Sequence, residues 1–562
     1  MINIKQSNKI PITEQSNPKS FNIDIQPPNI ISEIISECEK EIFGGFKNHK
    51  GIVDSDIVHK CLMVSNLINS AISINGFTNI VLVGAGTSGR LCRLIAKLLK
   101  QNRNNHKLNL IPIIPGGIKA LIKAECNTED SFSTGAEDYY RYTKNIDRKN
   151  CFLFGISCGL SANYVNGSLN ANLKFSKYPS VFIGFNPADQ ATVAISENKN
   201  LILINPILGP EPIVGSVRMK GGTATMILLK AIISAGSNNK KKISHTLNKI
   251  LNDSKDTLDY LKENSKKIAE LISKFGDTLC NNGQIHIIGL SKFGALSIFD
   301  AAECQPTFGA FDEQVNGYTE NGISDLIYYE SELNEILPKE VSLSNFIIKD
   351  TTQNKKNDLI IFISDKHLKR SFIKKIEGYF CSNIVFIFLS SKSNKNPILD
   401  YYQDRCYIFN YEWIDYFQKI LFVRSILIRL STGGFILNGK VFENKMIDLR
   451  ITNKKLFYRA IRIISQITEL NETELNQLLL KNILGDYLPG AHCLSDYIKI
   501  AATKSHVIPK TIIGILYPEI PNEEIETMLR KQPIIRKLIK IELRKKENDL
   551  FKKIKTHKTY SF

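Results

Sequence analysis

The sequence has little of what marks a secreted, membrane-spanning or metal-holding chain. Its eleven cysteines are scattered, with no C-x-x-C pair. That pattern supplies no zinc-type ligand spacing, and in a chain of 562 residues it argues against a disulfide framework. No metal and no cofactor are expected, and the expected compartment is a reducing one: the cytoplasm, with the nucleus as a second. No apolar run approaches the ~20 residues that span a bilayer. The opening Met1-Ile-Asn-Ile-Lys-Gln-Ser-Asn8 lacks the apolar core of a secretory signal. A formal net charge of +18 favours anionic partners, yet no recognised nucleic-acid motif accompanies it. Lysine and asparagine are spread along the whole chain, and the one dense basic run is the tail from Arg544 to Lys558. Neither nucleic acid nor a membrane is an expected partner.

What is present fits a globular chain of two or three domains, with 43% hydrophobic and 23% charged residues. The first thirty residues are polar and proline-punctuated, and read as an extended arm that packs on nothing. Helical periodicity follows at 31–43 and 56–74. Strand and helix signals then alternate. Strands are expected at 79–83, 108–114, 151–156, 180–184 and 201–204, with helices at 91–99, from about 161, and at 223–235. This alternation predicts an α/β fold with a mostly parallel sheet covered on both faces. A lysine-rich stretch to 279 reads as a connecting helix. The pattern restarts at 284–289, with further strands at 359–363, 384–389 and 407–410 and a helix over 413–437. Beyond about 441 only helices are expected. The predicted organisation is therefore an arm and helix (1–50), a first α/β domain (51–236), a connecting helix (237–279), a second α/β domain (280–440) and a helical module with a basic tail (441–562).

The two α/β domains begin alike. Gly84-Ala-Gly-Thr-Ser-Gly-Arg90 and Gly289-Leu-Ser-Lys-Phe-Gly-Ala295 each join a strand to a helix, but the second has lost the Gly-Thr-Ser centre. Duplication with loss of one site is the simplest reading. The first loop matches G-x-G-x-x-G, a weak fingerprint by itself. A dinucleotide site needs an acid at the end of the next strand, and Ile113-Ile-Pro-Gly-Gly117 has none. The hydroxyls of Thr87 and Ser88, with helix-start amides, suit a phosphate instead. Ile156-Ser-Cys-Gly-Leu-Ser161 repeats that logic on a neighbouring strand, although a serine there is also a common helix cap. A third loop, Gly215-Ser-Val-Arg-Met-Lys-Gly-Gly222, places Arg218 and Lys220 at a helix start, where the helix dipole disfavours them. An anionic ligand or an internal acid must answer that charge. Glu129 and Glu303 follow the expected second strand and end the first helix of the second domain; spacing alone reads either as an exposed acid.

Gly86-Thr-Ser-Gly-Arg90, Gly155-Ile-Ser157, Gly209-Pro-Glu211 and Gly215-Ser-Val-Arg-Met-Lys220 resemble the bacterial N-acetylmuramic acid 6-phosphate etherases. Other segments bring the chain nearer to the related glucokinase regulatory protein family. They are Pro11-Ile-Thr-Glu-Gln-Ser-Asn-Pro18, Gly184-Phe-Asn-Pro187, Ser431-Thr-Gly433, Met446-Ile-Asp-Leu-Arg-Ile-Thr-Asn-Lys-Lys-Leu-Phe457 and Val507-Ile-Pro509. The resemblance spans roughly residues 10–540. It implies two sugar-isomerase-type (SIS) domains of flavodoxin-like αβα form, packed as a pseudo-dimer within one monomeric chain and capped by a helical lid. It implies one sugar-phosphate site. Thr87, Ser88, Ser157 and Ser161 would hold the phosphate, helped by the amides of Gly86, Cys158 and Gly159 and by Ser216 of the third loop. Glu129, Glu303 and the lid's Lys504 would reach the sugar. The implied ligands are fructose 6-phosphate and fructose 1-phosphate, tuning inhibition of a glucokinase or hexokinase partner. The alternative the resemblance implies is an etherase using Glu129 and Glu303 as a catalytic acid–base pair to release lactate. Sugar isomerisation is disfavoured, because no histidine lies in the matched loops. Two positions depart from the family: Pro306 stands where the regulators carry histidine, and Val217 replaces a hydroxyl residue.

Overall fold

The protein is described by a computed structural model covering residues 10–100, 107–123, 130–191, 200–349, 357–366, 383–390, 403–448, 454–484 and 506–542, with single positions 451, 497, 500, 501 and 504 between them. Helices α1 (Pro28–Gly44) and α2 (Ser55–Asn75) lead into the first α/β unit. That unit runs β1 (Thr78–Gly84), α3 (Gly86–Lys100), β2 (Leu108–Ile113), α4 (Lys119–Ile122), α5 (Phe132–Tyr142), β3 (Cys151–Ile156), α6 (Asn163–Leu173), β4 (Ser180–Ile183), β5 (Leu201–Ile204) and α7 (Lys220–Gly236). Helices α8 (Ile243–Glu263) and α9 (Ser265–Cys280) link it to the second unit. The second unit runs β6 (Ile285–Gly289), α10 (Gly294–Phe308), β7 (Val315–Thr319), α11 (Leu343–Lys349), β8 (Leu359–Ser364), β9 (Asn383–Ser390), β10 (Cys406–Asn410) and α12 (Tyr416–Leu437). A small hairpin, β11 (Val441–Phe442) and β12 (Lys445–Met446), precedes the C-terminal helices α13 (Lys454–Thr468), α14 (Glu472–Leu484), α15 (Val507–Leu516) and α16 (Asn522–Lys531).

Among the described residues each sheet has five strands, all parallel, in the orders β2-β1-β3-β4-β5 and β7-β6-β8-β9-β10. The second order is the first one replayed, which places the duplication in the topology itself. It is the flavodoxin-like order, whose strand reversal between β1 and β3 opens a crevice at the carboxyl ends. Strands β1, β3, β4, β6 and β8 are buried along their whole length, as helices on both sheet faces require. One apolar core runs through both units, from Ile80 and Phe154 to Ile287 and Ile361, with α12 at its centre. The C-terminal helices have a core of their own, built on Phe457, Ile464, Leu475, Ile508, Ile512 and Ile525. The α/β units thus form one fused pseudo-dimer, and the helical lid is a separate body seated on it.

Five expectations need correction. The lysine-rich connector is two helices, not one, with the break at Asn264. β7 was not expected, because Val-Asn-Gly-Tyr-Thr carries little apolar signal; it forms as an edge strand parallel to β6. The hairpin at 441–446 interrupts the all-helical C-terminal region. By length and composition alone, α2 and α12 could each cross a membrane, although no such run was expected. The apolar stretch of α12 is 94% buried inside the protein, where it serves as the core helix. Finally, the N-terminal arm does pack. From Ile10 it forms short helical turns over 12–14, 18–20 and 23–25, and Thr13, Asn17, Ser20, Ile23 and Asp24 are all buried.

Candidate functional site

The first loop is shaped by its glycines. A Cβ on Gly89 would lie 2.4 Å from the Gly84 carbonyl and 2.6 Å from Ile114, so only glycine lets α3 start directly on the end of β1. Gly86 takes φ +52° at the first turn. The first-turn amides of a helix have no partner within it, and the dipole adds positive potential there. Thr87 and Ser88 sit on this turn. The Ser88 hydroxyl lies 3.9 Å from the Cys158 thiol, which brings the first and second loops together. Burial pushes that thiol up to about 12, so Cys158 offers backbone and packing, not a nucleophile.

In the second loop the Ser157 oxygen accepts from the amides of Ser161 and Ala162, both at 3.1 Å, and so closes the turn that leads into α6. Its two acceptor directions are used, which leaves its O–H to donate to an anion. Leu160 adopts φ +57° in this loop. The third loop packs on the second: a Cβ on Gly221 would meet the Cys158 sulfur at 3.0 Å. Ser216 is buried, and its hydroxyl has no hydrogen-bond partner among the described residues.

The cations of the third loop are answered from inside the protein. Arg218 pairs with Asp300 of α10 at 3.0 Å and donates to Ser431 and Thr432 of α12 at 3.1 and 3.0 Å. Lys220 pairs with Glu41 of α1 and donates to the Leu208 carbonyl at 2.6 Å. Glu211 caps α7, accepting from the amides of Lys220 and Gly221 at 2.8 Å each. Burial pushes its carboxyl up to about 7, against the pull of Lys220 and those two amides. Arg218 and Lys220 are structural, and Arg218 bolts the first unit to the second.

The pseudo-dimer carries Glu303 across to the first loop. From α10 its carboxylate accepts from the Thr87 hydroxyl at 2.7 Å and pairs with Arg90, whose side chain is almost wholly buried. A cavity opens beside them, lined by Thr87, Arg90, Arg218, Phe299, Asp300 and Glu303. Thr87, Ser88, Cys158 and Glu303 are therefore joined in one place, with Ser157, Gly159 and Ser161 in the adjoining turn. Lys504 is exposed, in the turn before α15. Glu129 lies outside the described residues. Two residues were missed. Arg90 follows the glycine loop directly, and a basic residue there was a legible signal. Asn186, in Gly184-Phe-Asn-Pro187, donates to the Gly159 carbonyl at 3.3 Å, and only its resemblance segment drew attention to it.

The second unit shows how the other site was lost. Gly289 pairs with Ile363 as Gly84 pairs with Ile156, so the two loops superpose by register. Ser364 then stands in the place of Ser157. Phe293 stands in the place of Ser88, wholly buried and stacked on Tyr416 with ring centroids 5.7 Å apart. A phenyl ring fills the cradle. In α3, Leu98 stands where α10 has Glu303, so the opposing acid is gone as well.

Two flavodoxin-like parallel sheets sharing a core, one intact loop cradle and a separate helical cap define a double SIS-domain protein with a lid. Three family models match in that order: the glucokinase regulatory protein N-terminal SIS domain over 62–173, its second SIS domain over 262–438 and its C-terminal lid domain over 443–539. The chain belongs to the glucokinase regulatory protein family. It is 27% identical to the glucokinase regulatory protein of Xenopus laevis over 90% of this chain and 89% of that one. With the Homo sapiens protein of the same name the identity is 26%, over 90% and 88%. The N-acetylmuramic acid 6-phosphate etherase of Oceanobacillus iheyensis is 29% identical over 46% of this chain and 81% of its own.

Proposed function

We propose that this protein is a regulatory protein that binds a phosphorylated ketose, fructose 6-phosphate or fructose 1-phosphate, and inhibits a glucokinase or hexokinase. The observation that carries the reading is the meeting of two hydroxyl-bearing helix starts with Glu303 from the opposite unit. The helix starts of α3 and α6 suit a phosphate, and Glu303 suits the hydroxyls of a sugar. Ser88, Ser157 and Ser161 hold the phosphate in this reading, with the amides of Gly86, Cys158 and Gly159, and Thr87 joins them when its hydroxyl turns from Glu303 to the ligand. Glu303 faces the sugar in this reading, the family resemblance assigns Glu129 and Lys504 to the sugar as well, and Ser216 supplies a further hydroxyl. The regulatory part of the reading rests on family membership and on the lid, a second body whose seating a ligand can bias if it binds the two seatings unequally.

Thermal unfolding with fructose 6-phosphate, fructose 1-phosphate and N-acetylmuramic acid 6-phosphate tests it. A ligand that binds only the folded protein adds about 2.7 kcal/mol at ~100 times its dissociation constant. The fructose phosphates are expected to raise the melting temperature of the wild type and to raise that of Ser88→Ala by clearly less at the same concentration. Stabilisation by the muramic acid phosphate alone, with lactate released, contradicts the reading and makes the protein an etherase.

A further inference from the structure

The N-terminal arm carries a row of polar side chains that the ligand site does not account for. Thr13, Asn17, Ser20 and Asp24 recur every three or four residues, and none is more than 4% exposed. Together they are tied to several separate parts of the molecule. Asn17 donates to the Pro210 carbonyl at 2.7 Å, and Ser20 to that of Pro212 at 2.7 Å, both beside the third loop. Asn444 of the β11–β12 turn donates to the Asn17 carbonyl at 2.9 Å and to the Ser20 hydroxyl at 3.0 Å. Asp24 pairs with Arg536 of the lid at 3.0 Å. Polar groups this buried are costly unless paired, so a row of them marks a segment held at specific partners.

Thr13 and its neighbour Glu14 reach in different directions. Asn186, wholly buried, accepts from the Thr13 amide at 3.1 Å and donates to the Thr13 hydroxyl at 3.1 Å. The same amide group donates to the Gly159 carbonyl in the second loop. The next residue, Leu160, holds a left-handed backbone that a leucine avoids unless its surroundings impose it. Glu14 pairs with Arg459 of α13 at 2.7 Å. That pair lies directly on Gly215: a Cβ there would be 2.9 Å from the Glu14 carboxylate and 3.1 Å from the Arg459 guanidinium. The lid is thereby fastened beside Ser216 and, one arm residue away, to the turn around Gly159.

We propose that Thr13 and Asn186 are positioning residues of the second phosphate loop, and that the arm transmits the order of that loop to the lid through Glu14. The proposal rests on the reading of this loop as the ligand site. A ligand that fixes the loop then favours the seated lid, and a seated lid tightens ligand binding by the same factor.

Amide hydrogen exchange on the free, full-length protein tests this without any ligand. Glu14→Gln removes the charge of a partly exposed pair at the lid end. It is expected to speed exchange in α13 and also at Ser161 and Ala162, at the loop end, on the order of 5-fold. Thr13→Val is expected to do the same from the other end, while Thr13→Ser, which keeps the hydroxyl, behaves as wild type. Faster exchange confined to α13 in Glu14→Gln, with Ser161 and Ala162 unchanged, overturns the proposal. Should Thr13→Val fail to fold, the Glu14→Gln result decides alone. With fructose 6-phosphate, the dissociation constant of Glu14→Gln is expected to rise about 5-fold. Absence of binding to the wild type would instead sink the reading of the site, and the exchange experiment would still decide the role of the arm.

Discussion

Ser88 and Phe293 stand at the same place in the two halves, and between them they account for a single site. A hydroxyl facing a charged oxygen contributes about 1.5–3 kcal/mol, so Ser88→Ala is expected to weaken sugar-phosphate binding ~10-fold or more, as read by calorimetric titration. Glu211 gives a second expectation at this scale. Its carboxyl titrates near 7 in the folded protein against 4.5 in the unfolded chain. Folding therefore favours its protonated form, and the stability it contributes is complete below 4.5 and lost as pH rises through about 7. Denaturant melts at pH 5 and pH 7.5 should show this decline in the wild type and a flatter profile in Glu211→Gln. An identical slope in both proteins counts against Glu211 as the titrating group.

At the scale of elements, the junction of the second unit with the lid is the place to look for acid sensitivity. His506, at the start of α15, donates its backbone amide to Asp448 at 2.9 Å, and its ring lies 3.5 Å from the ammonium of Lys440, which is itself paired with Asp448. Lys510 and Glu526 complete its charged surroundings. Burial lowers the pKa of this imidazole below 6.5 in spite of Asp448. Its contribution to stability is therefore complete above 6.5 and lost as pH falls toward the folded value. Protection of the α15 amides, corrected for intrinsic exchange, should fall as pH drops below 6.5, and His506→Asn, a residue that tolerates the left-handed backbone here, should remove that dependence.

Element by element, the sequence was most legible where burial is uniform. β1, β3, β6 and β8 are short apolar runs ended by glycine or serine, and the chain pattern alone locates them. β7 and the arm were not legible, for one reason: their side chains are half polar, and only tertiary partners decide whether such residues pack. Thr13 finds Asn186 across 173 positions of sequence, and no local pattern announces that. The phosphate loops were legible because glycine, serine and threonine at a strand–helix junction have a direct chemical meaning. The meeting of Glu303 with Thr87 was legible only through the family resemblance, since spacing alone says nothing of how the two units dock.

At the scale of the whole molecule, that docking is held by buried charge as well as by the shared core. Arg218 and Asp300 are each nearly inaccessible and lie in different units. Removing one partner of such a pair strands a charge and costs about 3–5 kcal/mol, whereas replacing both with apolar residues of similar volume is close to neutral. Asp300→Ala should therefore lower denaturant stability by about that amount, and Arg218→Met with Asp300→Leu should recover most of it. Both units and the site would fail together in the single variant, because Glu303 sits on the same helix as Asp300. An Asp300→Ala protein that unfolds in two steps, with one unit left intact, contradicts the single fused body described above.

In the proposed function one chain holds one sugar phosphate, at the carboxyl edge of the first sheet and against Glu303 of the second unit. Calorimetric titration of the wild type, Ser88→Ala and Glu303→Gln with fructose 6-phosphate tests it most directly. The expected result is a stoichiometry of one in the wild type and strongly weakened binding in both variants. Two sites per chain, or full-strength binding in Ser88→Ala, would contradict it.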